Sequence, residues 1–310
     1  MRPSPPSLLK LLALPLSRPS PSSSSSSTQP LFLLHALRSS LASQDAKDAQ
    51  PPALKYVTKA TDKAADLWSG LGKADGGWKK KAYDTGEKMM DKIEYEEWAL
   101  KAIDPALAPK PWEAVKNGAD GVAEMKRKKA EEVVELIFPP SLLEEKQLIE
   151  TLKKQLEHRE PLHRAAMRKC IYLSPLTWPF GILPVIPNFP LFYVLWRAWS
   201  HFRAYKASSY LLSLLTSHPS HLRPVPSSAL DNVYSSSPSS SSSSQLLLTK
   251  ETIPRLAKEF GMNDEETKEL ERAAGQTEER VRKGEEERHR QGETERVGEV
   301  VKEEVVKGEK

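Results

Sequence analysis

The sequence is poor in the residues on which many small catalytic or extracellular proteins depend. It holds one cysteine, Cys170, in 310 residues. No intrachain disulfide can form, so stability does not rest on an oxidising compartment. Paired cysteine ligands, a Gly-rich phosphate loop and a nucleophile elbow are all missing from the sequence. His158 and His163 are separated by Pro161, a poor metal-ligand spacing, and His218 and His221 fall in a Ser/Pro-rich stretch. Each histidine is therefore expected to be structural or solvated. The expectation is a protein that is not an enzyme, with no catalytic residue, no metal and no cofactor.

Missing acid is more informative. Residues 1–44 contain Arg2, Lys10, Arg18 and Arg38 but no carboxylate, and serine is abundant. That is the composition of a mitochondrial transit peptide. Leu31, Leu34, Leu37 and Leu41 add a helix-spaced stripe beside His35 and Arg38. Rival readings are a secretory signal, with Leu8–Leu16 as a weak apolar region, and plain disorder. A cleavage near residues 39–43 is expected. The second acid-free window runs from Pro161 to Leu230 and holds Arg164, Arg168, Lys169, Arg197, Arg203, Lys206 and Arg223. Basic residues around an apolar run suit an anionic bilayer surface. They are not interleaved with aromatics in a groove-like pattern, so nucleic acid is not the expected partner.

Between these windows the periodicity is helical. A stripe from Leu54 to Leu71 ends at Gly70 and Gly72, and a loop follows at Gly76–Gly77. Asp84 and Glu87 have capping-box spacing before a helix that runs to Ile103. Val122, Met125, Val133, Val134 and Ile137 suggest another helix, closed by Pro139–Pro140. Ser141 and Glu144 repeat the capping spacing before Leu148, Ile149, Leu152 and Leu156, and Pro161 should break or restart that helix. With no strand-period segment evident, the expected fold is all-α. The expected order is a disordered presequence at 1–44 and a helical domain at 52–218 with a membrane-associated segment at 171–199. A Ser/Pro-rich linker at 219–245, a small helical pair at 246–275 and a charged helix or disordered tail at 276–310 follow.

The membrane expectation rests on residues 171–196, which carry no charge. That length reaches a bilayer span. Prolines stand at 175, 179, 184, 187 and 190, and each costs roughly 3 kcal/mol inside a helix. A straight spanning helix is disfavoured. A broken hairpin avoids the cost, with one helix up to about Phe180 and a second starting near Pro190 and running to about Leu215. Each arm then embeds roughly 18 Å of helix, short of the roughly 30 Å hydrocarbon core. Pro184, Pro187, Asn188 and Pro190 are the expected membrane turn. Arg168, Lys169, Trp178, Trp196, Arg197, Trp199 and Arg203 are the expected membrane interface.

The stretch P-L-T-W-P-F-G-I-L-P-V-I-P-N-F-P-L-F-Y-V-L-W-R-A-W-S-H-F-R-A, Pro175 to Ala204, resembles the signature of the fungal mitochondrial K+–H+ exchange-related family. Two upstream blocks, E-E-W-A-L-K-A-I at Glu96–Ile103 and L-I-F-P-P-S-L-L at Leu136–Leu143, are similar to earlier parts of the same family. The resemblance implies an inner mitochondrial membrane protein required for, or regulating, potassium–proton exchange and cation homeostasis. It carries no defined catalytic site. A cardiolipin-binding scaffold without transport activity is the alternative. Expected partners are inner-membrane lipids, together with other exchange-complex proteins or further copies of the chain. The apolar segment has no carboxylate and no second span or internal repeat is evident, which argues against the chain being an exchanger on its own.

Overall fold

The computed structural model describes residues 9–18, 31–37, 59, 63, 66–103, 133–177, 189–236 and 245–284. It corrects the all-α expectation. A four-stranded mixed sheet runs through the core in the order β2-β1-β3-β4. The strands are β1 (Lys10–Ser17), β2 (Leu31–Leu37), β3 (Val134–Phe138) and β4 (Leu222–Pro226). β2 pairs antiparallel to β1. β3 lies parallel to both β1 and β4.

Helices cover both faces. α1 (Gly77–Asp91) and α2 (Tyr95–Ala102) precede β3. α3 (Glu145–Leu173) and α4 (Phe189–Thr216) lie between β3 and β4. α5 (Ser228–Ser235), α6 (Thr252–Phe260) and α7 (264–284) follow β4.

The two sheet faces make two cores. On one, Leu11, Ala13, Phe32, Leu34, Leu136 and Phe138 meet Leu148, Leu152 and Leu156 of α3 and Ala204, Ala207, Leu211 and Leu214 of α4. On the other, Leu12, Leu14, Leu16 and Leu33 meet Leu230 and Val233 of α5, Leu256 of α6 and Leu270 of α7. β1 is thus buried on both sides, which requires an unbroken apolar run. Its sequence, KLLALPLS, supplies one.

This layering overturns several local expectations. The segment 1–44 is not wholly a disordered presequence, because it contributes β1 and β2. Val134 and Ile137 belong to strand β3 rather than to a helix, and the expected linker at 219–245 contains β4 and α5. α1 begins at Gly77, ahead of the Asp84–Glu87 pair, and a break at 92–94 separates it from α2. Glu144 is the N-cap residue of α3 without a side-chain cap, while the Ser141 hydroxyl donates to Asp231 at 2.6 Å. α3 continues through Pro161. Gly261 does end α6, in the left-handed conformation that suits glycine at that position. Asn263 and Glu266 then cap α7 reciprocally, at 2.8 and 2.9 Å. The expected helix around Val122 and Met125 and the tail beyond 284 lie outside the described residues.

α3 and α4 pack antiparallel. Glu160 accepts from Ser209 at 3.3 Å, His163 meets His201, and Arg164 lies over the Tyr205 ring at 5.9 Å. Among the described residues, no helix is long and apolar enough to cross a membrane. The expected hairpin arms are corrected: α3 is a long helix that ends at Leu173 rather than a short arm up to Phe180, α4 starts at Phe189 and reaches Thr216, and the expected turn lies mostly outside the described residues.

Candidate functional site: a buried Glu–Arg–His–His cluster

α2 is short, yet polar side chains hold it from several directions. Glu97 is 5% exposed and reaches α4. There the Arg197 guanidinium donates to both carboxylate oxygens, one through Nη1 and the other through Nη2 at 3.1 Å. The Ser200 hydroxyl adds a bond at 2.8 Å. Bidentate arginine contact is the geometry expected of a strong, oriented ion pair. Its neighbours on α2 are tied elsewhere: Glu96 accepts from Arg159 of α3 and Arg280 of α7, each at 3.0 Å.

His201 lies one helical turn after Arg197 and is 8% exposed. Its Nε2 is 2.9 Å from Arg197 Nη2. Arginine can only donate, so this nitrogen is the acceptor and Nδ1 carries the proton of the neutral ring. That Nδ1 lies 3.3 Å from Nδ1 of His163, on α3, and 3.7 Å from Glu97 Oε2. His163 is 6% exposed, and its Nε2 is buried without a hydrogen-bond partner among the described residues.

Burial governs the charge states. It lowers both histidines, His163 to about 4. Both are neutral near pH 7. Burial alone would raise the Glu97 carboxyl, but Arg197, His201 and Ser200 outweigh it and hold the group below its usual range. Lys101, one turn further along α2, is drawn down to about 7, first by burial and then by Arg203. Its ammonium sits 3.5 Å from the Trp98 ring centre and 5.0 Å from that of Trp196. Aromatic faces favour the charged form, so they work against that fall.

A cavity of about 440 Å³ opens beside the cluster. Glu97, His163, His201, Arg159 and Arg197 line its polar side, and Leu162, Ala166 and Tyr193 its apolar side. Among the described residues, Glu97, His163 and His201 form a group that could hold a metal ion, with one ligand atom from each within 4.8 Å of the others.

The residues expected at a membrane interface divide into groups. Arg168 and Lys169 are exposed near the end of α3. Arg197 instead turns inward to Glu97. Trp196 is half-buried against Trp98 and Tyr193, at 6.3 and 6.1 Å between ring centres. Trp199 stacks on Phe202 at 5.5 Å, and Arg203 is half-buried. Of the expected turn, Pro190 is exposed in the first turn of α4. Pro184, Pro187, Asn188 and Trp178 lie outside the described residues.

The buried cluster was missed because its members are far apart in sequence. One signal was available: Glu97 and Lys101 lie in the E-E-W-A-L-K-A-I block, and Arg197, Ser200 and His201 in the long proline-rich block. The fold brings these two blocks together.

Two curated relatives and one family pattern match the chain. An uncharacterized protein of Saccharomyces cerevisiae is 26% identical over 231 residues, 67% of this chain and 70% of its own length. An uncharacterized protein of Schizosaccharomyces pombe is 26% identical over 159 residues, 51% of this chain and 62% of its own length. No solved structure matches the chain significantly. The sequence pattern described as "Mitochondrial K+-H+ exchange-related" matches residues 10–215, which include all four cluster residues and three of the four strands. The chain belongs to the mitochondrial K+–H+ exchange-related family.

Proposed function

We propose that the chain attaches to the inner mitochondrial membrane through the end of the α3–α4 pair and is required for, or regulates, potassium–proton exchange there. The exposed apolar tip is the observation that carries this reading. At the end of α3, Ile171, Tyr172, Leu173 and Leu176 are between 48% and 80% exposed. At the start of α4, Phe192, Tyr193 and Leu195 are between 37% and 63% exposed. Antiparallel packing puts both sets at one end of the molecule, with Arg168 and Lys169 beside them. Large apolar side chains exposed in a group beside basic residues are unusual on a protein that faces only water. Burying one such side chain yields about 1.5–3 kcal/mol, and each nearby cation adds about 1 kcal/mol on anionic lipid. Several together suffice for stable attachment without a span.

Carbonate extraction tests the attachment: the chain should stay in the membrane pellet, and full release would sink the reading. Potassium-acetate swelling of mitochondria tests the role. Without the protein swelling should slow, and re-expression should restore it. The exposed Arg168 and Lys169 also fit a lipid-binding scaffold, for which membrane attachment would persist but swelling would be unchanged.

A further inference from the structure

We infer that Glu97, His163 and His201 form a binding site for a single zinc-like transition-metal dication. The inference does not depend on the exchange role.

Three helices each contribute one ligand: Glu97 from α2, His163 from α3 and His201 from α4. All three residues are buried, at 5–8% exposure. Zinc–nitrogen bonds of about 2.0–2.1 Å in tetrahedral geometry set neighbouring donors about 3.3 Å apart. The two Nδ1 atoms are 3.3 Å apart. Glu97 Oε2 lies 3.7 Å from Nδ1 of His201, a small side-chain adjustment from the same spacing. Two imidazoles and one carboxylate match the preferences of zinc or cobalt rather than those of potassium, calcium or magnesium. Metal ligation needs neutral imidazole and ionised carboxylate, the forms in which these residues are held.

A purely structural network explains the cluster less well. The Glu97–Arg197–Ser200 contacts clamp α2 to α4 without any help from His163. Among the described residues His163 meets only His201 through its ring nitrogens, and its Nε2 is buried with no partner among them, an arrangement that costs about 1–3 kcal/mol. The adjoining cavity supplies an entry path. It also leaves room for water or a small anion as a fourth ligand, the open position that distinguishes a working zinc site from a closed structural one.

Arg197 sets the condition for binding. It balances the Glu97 charge, and its Nη2 donates toward Nε2 of His201. A metal on Nδ1 of His201 would move the ring proton to Nε2, where it would face that donor. Nη2 must then withdraw toward the cavity that Arg197 already lines, while Nη1 can stay on Glu97 Oε1. The proton passes from one ring nitrogen to the other, so binding releases no net proton from His201. The metal therefore takes the place of the Arg197 Nη2 contacts, while the Nη1 contact to Glu97 stays.

The test is titration of the purified full-length chain with Co2+ and then Zn2+. One Co2+ should bind per chain, with the visible spectrum of a tetrahedral site, and Zn2+ should displace it. His163→Gln and His201→Gln should each weaken binding by about tenfold or more. Arg197→Met should tighten it, on the order of tenfold, by removing the competing charge. NMR of the histidine ring nitrogens in the wild-type chain needs no variant: Zn2+ should shift Nδ1 of His163 and of His201. The inference is overturned if wild-type protein binds no metal, if those resonances stay in place, or if His163→Gln binds as tightly as wild type.

Discussion

The two ends of the α3–α4 pair use the same kinds of residue for opposite purposes. At the sheet end, Leu148, Leu152, Leu156, Leu211 and Leu214 are at most 3% exposed. At the tip, Tyr172 is 80%, Leu176 71% and Phe192 63% exposed. Apolar character alone does not tell the ends apart; the element packed against them does. β1 and β3 cover the sheet end, while the tip has no such cover among the described residues. Between them lies the Glu97 cluster, where α2 crosses and the packing turns polar.

The largest effect on stability is expected at that crossing. Glu97→Ala removes the carboxylate from Arg197 and should lower unfolding free energy by about 3–5 kcal/mol, measured by denaturant titration. A loss below 1 kcal/mol would mean that the Glu97 ion pair does not hold α2, leaving that to Glu96 and the apolar contacts. At the sheet end, Leu211→Ala should cost about 2–5 kcal/mol, with the same measurement.

Acid should act on the middle of the pair next. Both cluster histidines have folded pKa values below their ordinary value of 6.5. The unfolded chain therefore takes up protons that the folded chain refuses. Stability is fully present above about 6.5 and falls as pH drops toward about 4. Glu97, also depressed, adds its own loss only below its ordinary value of 4.5. A series of denaturation midpoints between pH 7 and 5 isolates the histidines, and His163→Gln should flatten it.

The smallest stability effect belongs to the tip. Leu176→Ser with Phe192→Ser should change unfolding free energy by no more than about 0.5 kcal/mol for each exposed site. The same pair should sharply reduce flotation with vesicles containing anionic lipid. Unchanged flotation would erase the distinction between the two ends.

The sequence made the start of α4 legible and the sheet illegible, for physical reasons. Pro190 and the long apolar pattern after it mark the start of α4 closely, because proline is favoured in the first turn of a helix. By contrast, the runs KLLALPLS and LFLLHAL are short enough to be buried strands or pieces of apolar helix, and periodicity does not separate these. Only their pairing with each other, and of β1 with β3, reveals which they are. β4 itself, LRPVP, contains two prolines within a Ser/Pro-rich stretch. Proline is tolerated at a sheet edge, the position β4 occupies. The cluster was hidden in the same way: Glu97 and His201 meet only once α2 lies across α3 and α4.

The order of strands along the chain also bears on how the molecule is made. Lys10 registers with Glu135, and Glu135 with Arg223, a residue that emerges only after both long helices. The central strand is synthesised first yet receives its parallel neighbour much later, and the last edge closes after the hairpin has formed. Non-local pairing of this kind slows folding. It leaves the apolar β1 ribbon without its parallel neighbour until residues far along the chain have been made.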